Sequence, residues 1–155
     1  MAEIIRVWAM PDKWTFRIKP IAELLAELNV GDMWVDPFAG SSRLAEFSND
    51  IRETEIDAYD FIREFESNSI LGVLLDPPYS AHQRVVSYND QGKHIEMTWI
   101  NNEAARIVMP GGLAVSFGWN SNGLGAKRGF VREKVLLIAH GGHHNDTIVT
   151  IERKK

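Results

Sequence analysis

Twice in this chain a short apolar run stops at an aspartate followed by proline. "MWVDP" ends at Asp36-Pro37, and "GVLLDPP" ends at Asp76-Pro77-Pro78. Proline has no amide hydrogen for a sheet ladder, so a central strand must end where it appears. An aspartate directly after buried residues therefore marks a strand's carboxyl end. Two such stops with helical patterns around them restrict the chain to strand-helix units whose strands finish along one sheet edge.

The rest of the pattern agrees. "KPIAELLAELNVGD" places Pro20 at a first helical position, sets Ile21, Leu24, Leu25 and Leu28 on one face, and stops at Gly31. The small residues Ala39, Gly40, Ser41 and Ser42 predict a turn leading into a short helix. A strand is expected near "FSNDI". "DAYDFIREFES" spaces Ala58, Phe61, Ile62 and Phe65 on one helical face, and residues 70 to 75 read as the next strand.

A polar loop from Ser80 to about Lys93 precedes a second long helical pattern through Trp99, Ile100, Ala104 and Ile107, which ends at "MPGG". "GLAVSFGW" reads as a buried strand, and "REKVLLIAHGGHHNDTIVTIERKK" as a closing antiparallel hairpin. The expectation is an α/β fold with an open, mostly parallel sheet. Such sheets bind ligands at the carboxyl ends of their strands. Asp36 and Asp76, forty positions apart, thus become candidate neighbours.

Composition sets the bounds. With 155 residues, 45% hydrophobic and 25% charged, the chain supports one sizeable core, so a single domain over residues 1–155 is expected. The absence of cysteine excludes disulfides and thiolate metal sites, and makes an intracellular, cytoplasmic protein the default. "MAEIIRVWAMPDKW" lacks a signal peptide's long apolar region, and no window reaches the roughly 18 apolar residues of a membrane span. A net charge of −4 argues against coating nucleic acid by bulk electrostatics. Residues 119 to 155 nevertheless hold seven Lys or Arg against three Asp or Glu, either a phosphate-binding rim that includes Lys127 and Arg128 or solvated charges at turns and a chain end.

In "VDPFAGSS", Gly40 lets backbone approach a ligand, and amides opening the following helix are placed to bind a carboxylate. Asp50 and Asp57 are candidates to accept hydrogen bonds from ribose hydroxyls and an exocyclic amine. Their alternatives are a turn former and a helix N-cap. A P-loop and a dinucleotide fingerprint are both excluded, because neither Gly-Lys-Ser/Thr nor G-x-G-x-x-G occurs there.

"DPFAGSS" followed by "DPPY", with "TFRIKPIAELL" ahead of both, resembles the S-adenosylmethionine-dependent DNA amino-methyltransferases, and among them the small adenine-specific enzymes of phages and prophages. The likeness extends over nearly the whole chain, including "GGLAVSFGWNSNG" and "AHGGHHNDTIV". It implies a Rossmann-like, seven-stranded methyltransferase sheet with the reversed hairpin last, and a cytoplasmic location, in the host cell for a phage-encoded chain. It places Thr15, Phe16, Lys19 and Pro20, with Asp36, Pro37, Phe38, Ala39, Gly40 and Ser41, beside the methionine part of S-adenosylmethionine. Asp50 and Ile51 face its ribose and adenine, and Asp57 and Ala58 its adenine edge. The family's loop commonly continues Gly-Ser-Gly, whereas this chain has Ser42 and Arg43.

An exocyclic amine is a poor nucleophile because its lone pair is delocalised into the ring. The carboxylate of Asp76 and the carbonyl of Pro77 can each accept one amino hydrogen, which localises that pair and aims it. Pro77 and Pro78 stiffen the element, and Tyr79 offers a ring on which a flipped base stacks, worth about 1–3 kcal/mol. Asp76, Pro77, Pro78 and Tyr79 are the candidate catalytic element.

Other signals are subordinate to these. His82, Gln83, Arg84 and Lys93 of the polar loop are candidate DNA contacts, with solvated loop residues as the alternative. Trp119 and Asn120 either line the base pocket or, for Trp119, fill the core. His140, His143 and His144 lie in a hairpin turn without a cysteine partner, so no metal site is expected. No insertion is long enough for a separate target-recognition domain. Low or short-site specificity is expected, set by short loops, a homodimer or a partner. Methylation of cytosine N4, of RNA or of protein glutamine, and a cofactor-binding subunit that needs a second chain, are the alternatives.

Overall fold

Runs rich in apolar and β-branched residues form seven strands among the described residues: β1 (Glu3–Trp8), β2 (Trp34–Asp36), β3 (Phe47–Ser48), β4 (Ile70–Leu75), β5 (Val108–Gly118), β6 (Phe130–Ala139) and β7 (Thr147–Lys154). Among the described residues, four α-helices accompany them: α1 (Lys19–Glu27), α2 (Ile51–Thr54), α3 (Ala58–Arg63) and α4 (Met97–Ile107). This computed structural model describes residues 1–78 and 96–155.

The strands form one sheet in the order β1-β6-β7-β5-β4-β2-β3. β7 runs antiparallel to β5 and β6, and every other pairing is parallel. From β2 the chain steps outward to β3, then crosses back to place β4 on the other side of β2. The winding direction reverses between β2 and β4, which makes their carboxyl ends the switch point where open sheets bind ligands.

Side-chain alternation divides the core into two layers. Leu74 joins Trp34, Val115, Phe117 and the α1 residues Ile21, Leu24 and Leu25 on one face. Val73 and Leu75 turn the other way, toward Ile62 of α3 and Ile100, Ala104 and Ile107 of α4. That is the period-two pattern of a strand covered on both faces.

A glycine inside β4 has a packing cause. Gly72 pairs with Trp34 across β2 and β4, and a Cβ there would lie 2.5 Å from the Trp34 ring. Trp34 is buried and has no room to yield. Gly72→Ala is therefore expected to cost about 1–3 kcal/mol of stability, read as a lower urea midpoint at unchanged slope.

The expected α/β sheet, the strand at 70 to 75 and the closing hairpin are all present. Four features differ. The helix expected after Ser42 does not form, and residues 37–46 cross from β2 to β3 without one. The seventh strand is the amino-terminal β1, whose charged residues hide its pairing with β6. β5 starts at Val108, directly after α4, so "MPGG" belongs to the strand. Trp99 leaves the core face of α4; it is 56% exposed and packs on Tyr59 with ring centroids 5.7 Å apart.

Candidate active site

Asp36 ends β2, Asp50 follows β3 by two residues and Asp76 follows β4 by one, so three carboxylates stand along the same edge of the sheet. Asp36 is fully buried. Its Oδ1 accepts the Phe38 N–H at 3.1 Å, and its Oδ2 has no hydrogen-bond partner among the described residues. Burial, and after it the negative charge of nearby Asp76, pushes the Asp36 carboxyl up to about 8; the Phe38 amide and Arg43 offset only part of this. A carboxyl in that state carries a proton at neutral pH and can donate as well as accept.

Asp50 has the opposite electrostatics. Burial alone would raise it, but hydrogen bonds and charge from Arg52 hold it below the usual carboxylate range. Its Oδ1 caps α2 by accepting the Arg52 backbone N–H at 3.1 Å, and the Arg52 guanidinium bonds Oδ2 through Nη2 at 2.6 Å and Oδ1 through Nε at 3.0 Å. Asp57 caps α3, accepting the Asp60 N–H at 2.8 Å, with Ala58 buried beside it and Ile51 half-exposed at the start of α2. The N-cap reading of Asp57 is thus realised, and Asp50, read as a turn former, is the N-cap of α2.

Between Asp36 and Asp50 runs the small-residue turn. Pro37, Phe38 and Ala39 are buried, while Gly40 at φ +56° is half-exposed and Ser41 exposed. In place of helix amides, Arg43 braces the turn: its Nη1 donates to the carbonyls of Gly40 at 2.8 Å and Ser42 at 2.6 Å, and its Nη2 pairs with Glu53 of α2. The Ser42-Arg43 departure from the familiar loop therefore has a structural consequence. At Gly40 a Cβ would meet, among the described residues, Arg52 Nη2 at 3.8 Å and Trp14 at 3.9 Å and nothing nearer.

Asn49 ties this corner together. It is buried; its backbone N–H bonds the Asp36 carbonyl at 2.9 Å, its carbonyl accepts from Ala39 at 2.9 Å, and its side chain bonds the Ile56 carbonyl and the Thr54 hydroxyl. Asn49, Arg52 and Trp14 were not singled out in the sequence, and Arg43 only as a departure from the loop. An asparagine or arginine within a turn has no periodicity, and only the fold reveals its partners.

The "TFRIKP" segment forms one 3-10 turn, Thr15–Arg17, leading into α1, with Pro20 in its first turn. Phe16 packs on Phe117 with ring centroids 5.1 Å apart. Lys19 is exposed and pairs with Glu23 at 3.9 Å.

Beside Asp76, a cleft of about 360 Å³ is walled by Leu75, Pro77 and Pro78 from the end of β4, and by Ser116 to Asn120 from the end of β5. Met97 and Asn101, one turn apart on α4, and Asn122 with Gly123 complete it. Trp119 is 49% exposed, so it is a wall residue and not a core one. Tyr79, His82, Gln83, Arg84 and Lys93 lie outside the described residues.

Four basic residues of the carboxy-terminal quarter stand toward one edge of the sheet, opposite the carboxyl ends of β2 and β4. Arg128 bonds Asn102 of α4 at 2.8 Å and the Leu124 carbonyl at 3.1 Å, and with the exposed Lys127 it precedes β6, toward the amino edge of the sheet. Lys154 donates to Asn68, Ala105 and Val108, and Arg153 pairs with Glu133, at that same edge. Burial lowers the Lys154 amine. His140 is buried and held at 2.8 Å by both the Ala9 carbonyl and the Thr147 hydroxyl, away from the exposed His143 and His144.

The fold is Rossmann-like α/β, a seven-stranded, mostly parallel sheet with an antiparallel β6-β7 hairpin. The chain superposes on the crystal structure of TrmN from Thermus thermophilus with a TM-score of 0.56 at 16% identity, covering 89% of this chain and 49% of that one. It thus spans about half the length of that protein. The N-methyltransferase NodS from Bradyrhizobium japonicum WM9 gives a TM-score of 0.49 at 11% identity, with 93% and 99% of the two chains covered. No protein-family model matches the sequence, and no curated protein does so.

Proposed function

We propose that the protein transfers a methyl group from S-adenosylmethionine to an exocyclic amino group in DNA, adenine N6 by preference. One observation carries the reading: Asp76-Pro77 stands at the carboxyl end of β4, next to Asp36 and its turn across the switch point, and opens onto a cleft of about 360 Å³. A donor berth and an acceptor berth side by side are what group transfer needs.

The residues fit the donor. The unpartnered Oδ2 of Asp36, the open backbone at Gly40 and the anionic Asp50 match the polar groups of an amino acid joined to a nucleoside. Asp36 to Ser41, with Thr15 to Pro20, would hold the amino-acid end, while Asp50, Ile51, Asp57 and Ala58 would hold the nucleoside. Bound S-adenosylmethionine supplies a methyl group on a sulfonium sulfur, an electrophile toward a nitrogen lone pair.

The chain's own part is to prepare the amine. Asp76 and the Pro77 carbonyl accept the two amino hydrogens, which draws the nitrogen out of conjugation and fixes the direction of its lone pair. Pro77 has a fixed φ, so its carbonyl keeps its aim. Asp76 also takes up charge as the nitrogen becomes positive, and the proton then leaves to the carboxylate or to water. Tyr79 is assigned the stacking role against the flipped base. An aspartate at the head of this element favours adenine, with cytosine N4 as the same-chemistry alternative.

Tritium-labelled S-adenosylmethionine, offered with unmodified DNA, RNA and protein in one mixture, tests the acceptor class. Label is expected in the DNA fraction. Label confined to RNA or protein would move the function to that acceptor.

A further inference from the structure

Glu152 is 1% exposed, two residues before the end of β7, and lies outside the donor and amino-positioning residues. Its Oε2 accepts the Leu124 N–H at 2.6 Å and its Oε1 the Gly125 N–H at 3.0 Å. These two amides belong to the segment between β5 and β6, whose preceding residues Asn122 and Gly123 wall the cleft. A buried carboxylate is therefore bonded to the backbone of a loop, far along the chain from it, at the edge of the acceptor cleft.

Gly123 gives a second, independent sign of the same contact. Its φ is +59°, and a Cβ there would lie 2.2 Å from Glu152 Oε2. The far end of a glutamate usually swings aside. Here it is buried and held by two amides, so the loop must carry glycine to reach it. The loop is fastened from other sides as well: Arg128 bonds the Leu124 carbonyl, and Leu124 itself is buried with Phe130 and Ala104.

We infer that Glu152 is a positioning residue for the acceptor: it pins the Asn122–Gly125 backbone and so fixes the wall against which the target base is held. This rests on the proposed reading of the cleft as the base site. Glutamine in its place keeps the shape but offers one acceptor oxygen where two amides need one each. It also turns an N–H toward a donor. The wall then loosens while the Asp36 to Asp50 edge, built on β2 and β3, stays as it is.

The test uses the full chain, Glu152→Gln and Gly123→Ala, with deoxyadenosine monophosphate as cleft probe, followed through the Trp119 indole resonance, and S-adenosylmethionine as control ligand. Both variants are expected to weaken the probe about tenfold and leave the control affinity within about twofold. Exchange of the Leu124 and Gly125 amides is expected to quicken in Glu152→Gln. With DNA as acceptor, KM rises and kcat changes little. Unchanged probe affinity in both variants, no probe binding by the wild type, or equal weakening of both ligands would each overturn the assignment. Wild-type probe binding without transfer to DNA would overturn the proposed activity alone, and the probe affinities would still decide the role of Glu152.

Discussion

Asp76→Ala is expected to lower kcat for methyl transfer by about 100- to 1,000-fold or more, with S-adenosylmethionine affinity kept within a few-fold. The carboxylate is at the end of β4, adjoining a cleft lined by Pro77 and Pro78, so on the proposed mechanism its loss removes an amino-hydrogen acceptor without touching the Gly40 turn. Asp76→Asn keeps one oxygen that can accept and is expected to lie between the two. Isothermal titration for the cofactor and single-turnover transfer for the chemistry separate the effects. An active Asp76→Ala enzyme would remove the amino-positioning mechanism.

Asp36→Asn is expected to flatten the dependence of stability on pH. Native Asp36 keeps its proton up to about pH 8, whereas an unfolded aspartate loses its proton near 3.8. Between those values the folded state binds more protons than the unfolded one, so raising the pH draws the equilibrium toward unfolding. The penalty is absent below the unfolded value and complete above about 8. It amounts to something on the order of 5 kcal/mol for a fully buried group. Asparagine keeps the acceptor for the Phe38 N–H and has nothing to titrate. Urea melts at pH 5 and pH 8.5 should show the wild type losing stability across the interval and the variant losing much less. Equal slopes would mean that Asp36 is ionised in the fold. Because Asp76 contributes to the upward shift, Asp76→Ala should show a partly flattened slope as well.

What could be read in the sequence is what repeats. The α1 face of Ile21, Leu24 and Leu25, the all-buried run Val73 to Leu75 and the two strands of the last hairpin each carry a period that burial imposes. The Asp-Pro stops located the carboxyl edge of the sheet because proline cannot continue a regular ladder; Pro110 is inside β5 only where its register with β4 shifts. β1 escaped notice because an edge strand buries little: Ile4 and Trp8 are exposed, and Glu3 pairs with Lys134 of β6. The helix expected after Ser42 rested on small residues alone. Arg43 satisfies the carbonyls of the turn with its own side chain, and the chain goes straight on to β3.

The site was legible where one residue type at one position has few uses, as at Asp36 and Asp76. Positions defined by a pair were not. Asn49 matters because it spans from the end of β2 to the residues between α2 and α3, and Glu152 because two amides nearly thirty positions earlier bond to it. Arg128 was legible only as a charge; that its guanidinium bonds Asn102 and the Leu124 carbonyl is visible in the fold alone.

The central claim is that the Asp36 and Asp76 ends of β2 and β4 bring a methyl donor to an exocyclic amino group. Purified protein incubated with S-adenosylmethionine carrying a deuterated methyl group and unmodified DNA, followed by digestion to nucleosides and mass spectrometry, tests it most directly. The account predicts a trideuteromethyl group on N6 of deoxyadenosine, lost in Asp76→Ala. Label on a ring carbon or a ring nitrogen, or none in any nucleoside while the donor binds, would contradict it.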